Sequence, residues 1–444
     1  MQMIDAVRNA FRMPDLRRKL LYTLFILLIY QFAAHVPVVG VNRDALGKLV
    51  NQGAAAGFLQ VLNLLSGGAV SQFSILANGV YPYITAQIIL QLLTGVIPQL
   101  ERISQEPGGQ DKLNQYTYYL AIPMGLLQAI AQINILQNLA TSSGAGDILP
   151  GFGPFNLLTV SVLVTMTAGT MFAIWLGNLI TEQGIGNGLS LIIFAGIVAQ
   201  VPRSLGLLGQ DEWAGFNFIA FAILTFFTVI FIVAMENGMR RIKVEYGRRV
   251  RGRKQYGGGS THIPLKVNSA GMIPLIFAQA IVTFPAILAG VFFPNTPFYT
   301  SMQNTFGLRQ GWVYWVVEFV LVVAFTYFYT DVMIQNQKLG ESLQKQGGFI
   351  PGIRPGKRTQ DYITRVTRRI TLAGALYLGL VTVLPGLFIV IDYLFTGRGD
   401  INRTNNPAQV ISSAGLIIVV GVVVDTMRQL EAQLVMRNYE GFMR

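Results

Sequence analysis

Apolar segments about 20 residues long recur along the whole chain and restrict its fold more than any other feature. A helix of that length spans the roughly 30 Å hydrocarbon core of a bilayer. We interpret ten segments as membrane spans, at residues 20–39, 75–97, 116–135, 155–180, 184–201, 216–235, 269–292, 312–332, 370–393 and 410–427. The sequence therefore predicts an all-α polytopic membrane protein with ten transmembrane helices.

The composition agrees with a chain that lies largely in lipid. Hydrophobic residues make up 52% and charged residues only 12%, whereas about a quarter of residues are charged in ordinary soluble domains. The chain has no cysteine, which excludes disulfides, thiolate metal sites and cysteine nucleophiles. Its two histidines, His35 and His262, lie far apart in the sequence, so we expect no metal and no other cofactor.

The basic residues fall mainly on one side of the predicted spans. Ten spans place both termini on the same side, and 27 of the 33 lysines and arginines lie in segments on that side. Because basic loops stay in the cytoplasm, we expect both termini to be cytoplasmic. The segment before the first span is basic and amphipathic, and we do not interpret it as a cleaved signal peptide.

The spans divide the chain into two halves of five. An N-terminal half, residues 1–212, is followed by a C-terminal half, residues 213–444. The halves enter the membrane from opposite faces, which is typical of an inverted repeat around an axis in the membrane plane. The halves share no clear sequence identity, so the repeat is a prediction from topology alone.

A short apolar segment, residues 57–71, precedes the second span. As a helix its first 14 residues would reach roughly 21 Å, which is too short to cross the bilayer. It contains Ser66-Gly67-Gly68, a sequence that ends helices. Because lipid does not tolerate irregular backbone, we expect the segment to lie on the membrane surface or inside the protein.

Two predicted cytoplasmic loops, residues 236–266 and 333–369, contain 17 of the basic residues. Basic and apolar residues alternate near the start of the first loop, which favours a β-hairpin-like finger with a glycine-rich base at residues 257–259. The second loop contains two prolines and two glycines within residues 351–356, a composition that favours a defined turn. The two loops contain more basic residues and more turn-forming motifs than membrane topology alone requires.

Several long motifs occur in a fixed order along the chain. They are LLSGGA at 64–69, PYI at 82–84, ITEQGIGNG at 180–188, STHIPLKVN at 260–268 and PGIRPG at 351–356. In these motifs the chain closely resembles the SecY family of Sec protein-conducting channels. The resemblance implies two clamshell halves around an hourglass pore. Such a pore passes unfolded preproteins across the cytoplasmic membrane of bacteria and releases hydrophobic segments sideways into lipid.

The resemblance also implies roles for particular residues. A plug that closes the external funnel would comprise Leu62, Asn63, Leu64, Leu65, Ser66, Gly67, Gly68 and Ala69. A ring of aliphatic side chains at the pore constriction would comprise Val80, Ile84, Ile193, Ile276 and Ile418. A lateral gate would open between spans two and three on one side and spans seven and eight on the other. Polar residues on these spans are Thr85, Gln91, Gln128, Gln279 and Thr283.

Partners are likewise implied by the resemblance. Arg253, Lys254 and Arg354 are candidates for docking the ribosome and the SecA ATPase, since guanidinium groups pair with phosphates and carboxylates. Nucleotide hydrolysis would be left to these partners, and the chain itself would not be an enzyme. Further expected partners are SecE, SecG, signal sequences of preproteins and membrane lipid, together with SecD/SecF and YidC.

Alternatives remain open from the residues alone. Without the resemblance, the ring residues are consistent with ordinary helix packing, and the gate residues are consistent with generic interhelical contacts. The basic loops are then consistent with a role only in setting the orientation of the chain in the membrane. A secondary transporter also uses inverted repeats and broken helices, and an insertase without a pore is a third class. Glu318, the one acidic residue well inside a span, is expected to reach the outer interface in a structural role. Asn78 and the long external loop 395–409 have no assigned role.

The glycine-rich stretch 184–188 superficially resembles a phosphate-binding loop. A nucleotide-binding loop follows a strand and opens a helix within a βαβ unit, whereas predicted membrane spans flank this stretch. We therefore expect a tight reversal between two spans, where glycines supply positive φ angles.

Overall fold

The computed structural model describes most of the chain. The described residues are 13–51, 66, 69–106, 108–142, 144, 146–153, 156–208, 214–247, 249–251, 254–256, 259–271, 273–293, 296–302, 305–306, 312–337, 339–396 and 413–442. The long external loop therefore lies almost entirely outside the described residues, as do Arg253 and most of the predicted plug.

The N-terminal half is helical. Its helices are α1 (Pro14–Ala33), α2 (Arg43–Asn51), α3 (Tyr81–Val96), α4 (Pro98–Gln105), α5 (Gly109–Ser142), α6 (Leu157–Gln183) and α7 (Gly188–Leu208), and a 3₁₀ turn covers Ala69–Gln72. The axes of α3 and α4 meet at 106°.

The C-terminal half consists of further helices and a small sheet domain. The helices are α8 (Ala214–Asn237), α9 (Ile273–Phe292), α10 (Pro297–Met302), α11 (Trp312–Gln337), α12 (Leu339–Lys345), α13 (Lys357–Thr396) and α14 (Ser413–Phe442). Each of the ten predicted spans lies on a long helix. The helices that carry them are α1, α3, α5, α6, α7, α8, α9, α11, α13 and α14.

Judged by length and composition alone, fewer helices qualify as spans. Four described helices are long and apolar enough to cross a membrane, and five are if the bent pair α3 and α4 is counted as one span. The helical prediction is confirmed for all ten segments.

The second span starts later than predicted. Residues 75–80 form turns, and helix begins only at Tyr81. Gly79 adopts φ 54°, which a helix cannot accommodate, and Pro82 in the first turn suits a helix start because its missing N–H needs no partner there. The α6 backbone also approaches closely, since a Cβ added to Gly169 would lie 1.9 Å from the Ile75 carbonyl oxygen.

The two basic loops join in one sheet. Strands β1 (Met239–Tyr246) and β4 (Ser260–Lys266) pair antiparallel from Met239↔Lys266 to Glu245↔Ser260. Strand β5 (Gly348–Phe349), from the second loop, pairs with the far end of β1 through Glu245↔Phe349 and Tyr246↔Gly348. Shorter strands β2 (Arg249–Arg251) and β3 (Lys254–Tyr256) form a separate ribbon.

The finger prediction is confirmed, but its glycine-rich base is wrong. Gly259 directly precedes β4, at the end of the β1–β4 ribbon farthest from α8 and α9. The base is instead the Met239↔Lys266 pair. The sheet has its own apolar core against α12 and α13, formed by Ile242, Val244, Leu265, Leu343, Ile350, Ile363 and Val366.

The long helices pack across the two halves. Helices α3 and α5 of the N-terminal half contact α9 of the C-terminal half, and α7 contacts α14. Within the C-terminal half, α8 packs on α14 and α11 packs on α13. One large buried cluster of apolar side chains extends through these contacts, and it contains the candidate site.

Candidate functional site

The five predicted ring residues lie in one buried apolar cluster. Val80 directly precedes α3 and Ile84 lies in its first turn, while Ile193 is on α7, Ile276 on α9 and Ile418 on α14. All five side chains are at most 6% exposed. Two of the four helices belong to each half. The structure thus places residues that are up to 338 positions apart in the sequence in the same large buried cluster.

A cluster of aliphatic side chains of this kind excludes water. Its side chains offer neither hydrogen-bond donors nor acceptors, and a narrow hydrophobic constriction bars ions by dewetting. The same side chains give a sliding peptide no strong polar contact. The arrangement can seal a pore at rest without binding its cargo.

The end of the predicted plug packs into the same cluster. Ala69 is fully buried there. Ser66 is buried as well, and its carbonyl oxygen accepts a hydrogen bond of 2.9 Å from the Tyr30 hydroxyl on α1. The other predicted plug residues, Leu62, Asn63, Leu64, Leu65, Gly67 and Gly68, lie outside the described residues.

The segment after the plug is fastened on two sides. Backbone hydrogen bonds join Val38 to Phe73 and Ile75 to Val36, so the segment pairs with the chain after α1. Asn78, whose role was open, is buried, and its Nδ2 donates to the Gly125 carbonyl on α5 at 3.1 Å. These contacts give the plug region a fixed boundary on its C-terminal side.

The contact between α3 and α9 contains a hydrogen bond that sequence reasoning missed. The buried Tyr81 hydroxyl donates to the Ala280 carbonyl at 2.9 Å and lies 3.0 Å from Thr283 Oγ1. We call this contact the seam. The sequence feature that could have indicated this bond is a tyrosine directly before the PYI motif, at the start of a helix predicted to form the gate.

The predicted gate residues contribute to the seam unequally. Thr283 Oγ1 lies within hydrogen-bond distance of the Tyr81 hydroxyl across the seam and of the Gln279 and Ala280 carbonyls of its own helix, and its one proton is shared among these partners. Thr85 donates to the Tyr81 carbonyl within α3. Gln128 and Gln279 are buried, and Gln91 is partly buried. The side-chain oxygens of Gln91 and Gln279 have no hydrogen-bond partner among the described residues.

The expectation that Glu318 reaches the outer interface is wrong. Its side chain on α11 is only 2% exposed and makes a hydrogen bond with the Gln279 side chain on α9. Burial among α9 and α11 replaces contact with water, because the α11 face that carries Glu318 faces protein rather than the interface. Glu318 therefore supports Gln279, one of the predicted gate residues.

The structure describes Arg354 fully, but it describes only part of the other predicted docking residues. Arg354 is exposed on the predicted turn, where Gly352 and Gly356 adopt φ 82° and 97°. The Thr359 hydroxyl donates to the Arg354 carbonyl at 2.9 Å, which helps to hold the turn. Lys254 begins β3, but its side chain lies outside the described part, as does the whole of Arg253.

The predicted reversal at residues 184–188 is confirmed. It connects α6 to α7, and Gly186 adopts φ 90°. A Cβ added to Gly188 would lie 1.8 Å from the Gly177 carbonyl oxygen. The glycines therefore permit a positive φ angle and a close approach of two helices.

A family model described as SecY matches residues 74–427 of the chain. The chain belongs to the SecY family. It is 40% identical to the protein translocase subunit SecY of Halalkalibacterium halodurans over 455 residues, covering 100% of both chains. It is 41% identical to that of Thermus thermophilus over 450 residues, covering 99% of this chain and 98% of the relative.

Solved structures share the fold at lower identity. A structure described as that of a protein conducting channel is 18% identical, with a TM-score of 0.64 over 94% of this chain and 92% of the other. A Sec61 structure from a canine ribosome-channel complex is 18% identical, with a TM-score of 0.60 over the same shares. The chain is thus a helical multi-pass membrane protein, and the transporter alternative finds no support among these proteins.

Proposed function

We propose that the chain is the pore-forming subunit of a protein translocase and that Val80, Ile84, Ile193, Ile276 and Ile418 form its constriction. The observation that carries the proposal is that these side chains, from four helices of both halves, all belong to one large buried apolar cluster. Membership of the SecY family supplies the class of function. Unfolded preproteins pass through this constriction.

The proposed plug, residues 62–69, closes the pore from outside. The burial of Ala69 in the ring cluster and the contact between Tyr30 and Ser66 support this role. Ten spans in two inverted halves, residues 1–212 and 213–444, surround the pore, with both termini in the cytoplasm. The basic loops at 236–266 and 333–369 support that orientation in a bacterial cell membrane.

The lateral gate opens at the seam between α3 and α9 and at the neighbouring contact of α5 with α9. Thr85, Gln91, Gln128, Gln279 and Thr283 lie on these helices, and Tyr81 joins them as a gate residue because it bonds across the seam. A neutral hydrogen bond of this kind contributes only about 1 kcal/mol. A hydrophobic signal helix can replace such a contact and leave sideways into lipid.

Docking involves the sheet domain. Because β5 pairs with β1, the two basic loops form one unit, and this places Arg354 and the β1–β4 finger on a common support. Arg253, Lys254 and Arg354 dock SecA or the translating ribosome, whose nucleotide hydrolysis drives transport. Structures similar in fold are described as ribosome complexes of Sec61 and Ssh1. SecE, SecG, SecD/SecF and YidC complete the proposed set of partners.

Reconstitution tests the channel proposal. Liposomes that contain the chain, SecE and SecA should import a signal-bearing precursor in an ATP-dependent manner, measured as protease-protected product. A chain that lacks residues 62–69 should still import precursor but should leak ions at rest, measured as chloride flux. Import no greater than in liposomes without the chain would contradict the channel, and an unchanged ion flux would contradict the plug.

Arg354→Glu tests docking separately. The residue is exposed and only its backbone carbonyl has a described hydrogen bond, so folding should be unaffected. The exchange reverses the charge offered to a partner, and SecA-driven import should fall at least tenfold. Lys357→Glu is the matched control, since it reverses an exposed charge three residues away. Normal import by a well-expressed Arg354→Glu chain would remove this residue from the docking site.

A further inference from the structure

A cavity of about 650 Å³ lies between α11 and α13 and belongs to none of the roles above. Its size is typical of small-molecule sites. Its lining comprises Tyr327 of α11 and Gln360, Asp361, Thr364, Arg365, Arg368, Arg369 and Leu372 of α13. The lining contains three guanidinium groups and one carboxylate, so its positive charge favours the binding of an anion.

One of the arginines has a structural partner. Arg368 donates from Nε to Asp331 Oδ1 at 3.0 Å and from Nη2 to Oδ2 at 2.8 Å. This bidentate pair joins α13 to α11 and orients the cavity wall. Arg365 and Arg369 have exposed side chains and make no ion pair with another described residue. Their charges are available to a ligand.

Another residue of the lining, Gln360, is also held in place. Gln360 accepts a hydrogen bond of 2.7 Å from the Gly340 N–H of α12 and donates to the Ile334 carbonyl of α11 at 3.4 Å. Three helices are thereby joined around the cavity.

The cavity lies at the boundary of the proposed membrane spans. Arg369 directly precedes the span 370–393, and Asp331 lies at the end of the span 312–332. Leu372, Leu376 and Leu380 follow on α13 at helical spacing and are 49%, 42% and 53% exposed. Residues spaced by three or four lie on one face of a helix. The face therefore changes from basic to apolar where the chain enters lipid.

We propose that this cavity binds the phosphodiester headgroup of an anionic phospholipid, whose acyl chains lie along Leu372, Leu376 and Leu380. Guanidinium groups match phosphate oxygens in bidentate geometry, and Arg365, Arg369 and the Thr364 hydroxyl supply donors. A free phosphate or an acidic protein segment would use the arginines but not the leucine stripe. The site depends on the membrane placement of α11 and α13 and not on protein conduction.

Native mass spectrometry tests this site. The chain is released from nanodiscs that contain equal amounts of phosphatidylglycerol and phosphatidylcholine, and the lipids retained per chain are counted. Retention of phosphatidylglycerol should fall about fivefold for each arginine removed in Arg365→Gln/Arg369→Gln, because one basic side chain near the membrane contributes on the order of 1 kcal/mol. The matched control is Lys357→Gln/Arg358→Gln, which removes two exposed charges from the start of the same helix.

The control should retain phosphatidylglycerol within about twofold of the unmodified chain. Equal retention by both double variants would overturn the proposal, as would displacement of the lipid by millimolar inorganic phosphate, which identifies an ion site without a lipid. An acidic protein segment as the true occupant would likewise give equal lipid retention. Melting temperatures identify loss of fold, and Arg365→Lys/Arg369→Lys, which keeps the charge, should show intermediate retention.

Discussion

The seam between α3 and α9 and the junction between α8 and α14 are both polar contacts between long helices, but their chemistry differs. At the seam, a neutral tyrosine hydroxyl on Tyr81 bonds to Ala280 and Thr283. At the junction, Arg428 Nη2 of α14 donates to the Glu236 carbonyl at 2.7 Å and to Asn237 Oδ1 at 3.0 Å. One contact is neutral and the other contains a cation.

The junction also supplies a hydrogen-bond donor to the C-terminal end of α8. Glu236 lies in the last turn of α8, where carbonyl groups lack partners within the helix. A cation at this position satisfies such a carbonyl and interacts favourably with the helix dipole. The Asn268 amide, just after β4, donates to the Glu236 carboxylate. The junction therefore links α8, α14 and the base of the finger.

The seam, in contrast, can part without leaving its Thr283 hydroxyl unsatisfied. The Thr283 hydroxyl can still donate to the Gln279 carbonyl of its own helix, 2.9 Å away, when Tyr81 withdraws. Loss of a neutral bond without an orphaned partner costs little. The molecule therefore combines a weak contact at the proposed gate with a strong contact near the proposed docking loops.

Arg428→Ala should have the largest effect on stability. It removes two hydrogen bonds from a cation whose side chain is 27% exposed, and hydrogen bonds to charged groups contribute about 1.5–3 kcal/mol each in favourable cases. With allowance for partial exposure, we expect a loss of about 2–3 kcal/mol in the free energy of unfolding. Thermal or denaturant unfolding of the purified chain in detergent measures it.

The control for Arg428→Ala is Arg358→Ala, an exposed arginine without a described ion pair. It should change stability by less than about 0.5 kcal/mol. Arg428→Lys keeps the charge but not the planar fork and should fall between the two. A loss below about 1 kcal/mol for Arg428→Ala would show that the junction is no stronger than the seam.

Tyr81→Phe should have a smaller effect on stability and a clear effect on gating. The exchange keeps the ring packed and removes only the hydroxyl, so we expect a loss of about 1 kcal/mol. If that energy favours the closed seam, the closed state becomes about fivefold less populated relative to the open one. Import of a precursor with a weakened signal sequence, measured beside a normal precursor, should rise correspondingly.

Thr94→Val is the matched control for Tyr81→Phe. The Thr94 hydroxyl donates to the Leu90 carbonyl within α3 and not across the seam, so its loss should leave the import of weakened precursors unchanged. Equal behaviour of the two variants would mean that Tyr81 stabilises α3 itself rather than the contact with α9. That result would remove Tyr81 from the proposed gate.

The sequence predicted the helices and strands of the molecule better than the contacts between them. Hydrophobic periodicity and length identified all ten long helices, because burial in lipid or protein requires the same apolar segments. The alternating pattern in residues 239–246 identified a strand. The start of α3 was misplaced by six residues because the apolar residues of 75–80 outweighed Asn78-Gly79, a dipeptide typical of turns.

Contacts between distant segments could not be predicted from one chain. Strand β5 is only two residues long and pairs with a strand about 100 residues earlier, so no local pattern indicates it. Tyr81 and Arg428 find partners 191 to 202 residues away. Glu318 was misplaced for the same reason, because the neighbouring helix that carries Gln279 determines whether a carboxylate is buried.

Lys243→Ala should have the smallest effect and isolates the role of charge. Lys243 pairs with Glu245 at 2.7 Å on the surface of β1, and both side chains are well exposed, at 55% and 39%. Water and salt screen such pairs, so we expect a change below about 0.5 kcal/mol in the same unfolding measurement. If Lys243→Ala cost as much as Arg428→Ala, capping and partial burial would not explain the strength of the junction. A difference of at least about 1.5 kcal/mol between the two variants would attribute that strength to the hydrogen bonds that Arg428 makes with the Glu236 carbonyl and Asn237 at the end of α8.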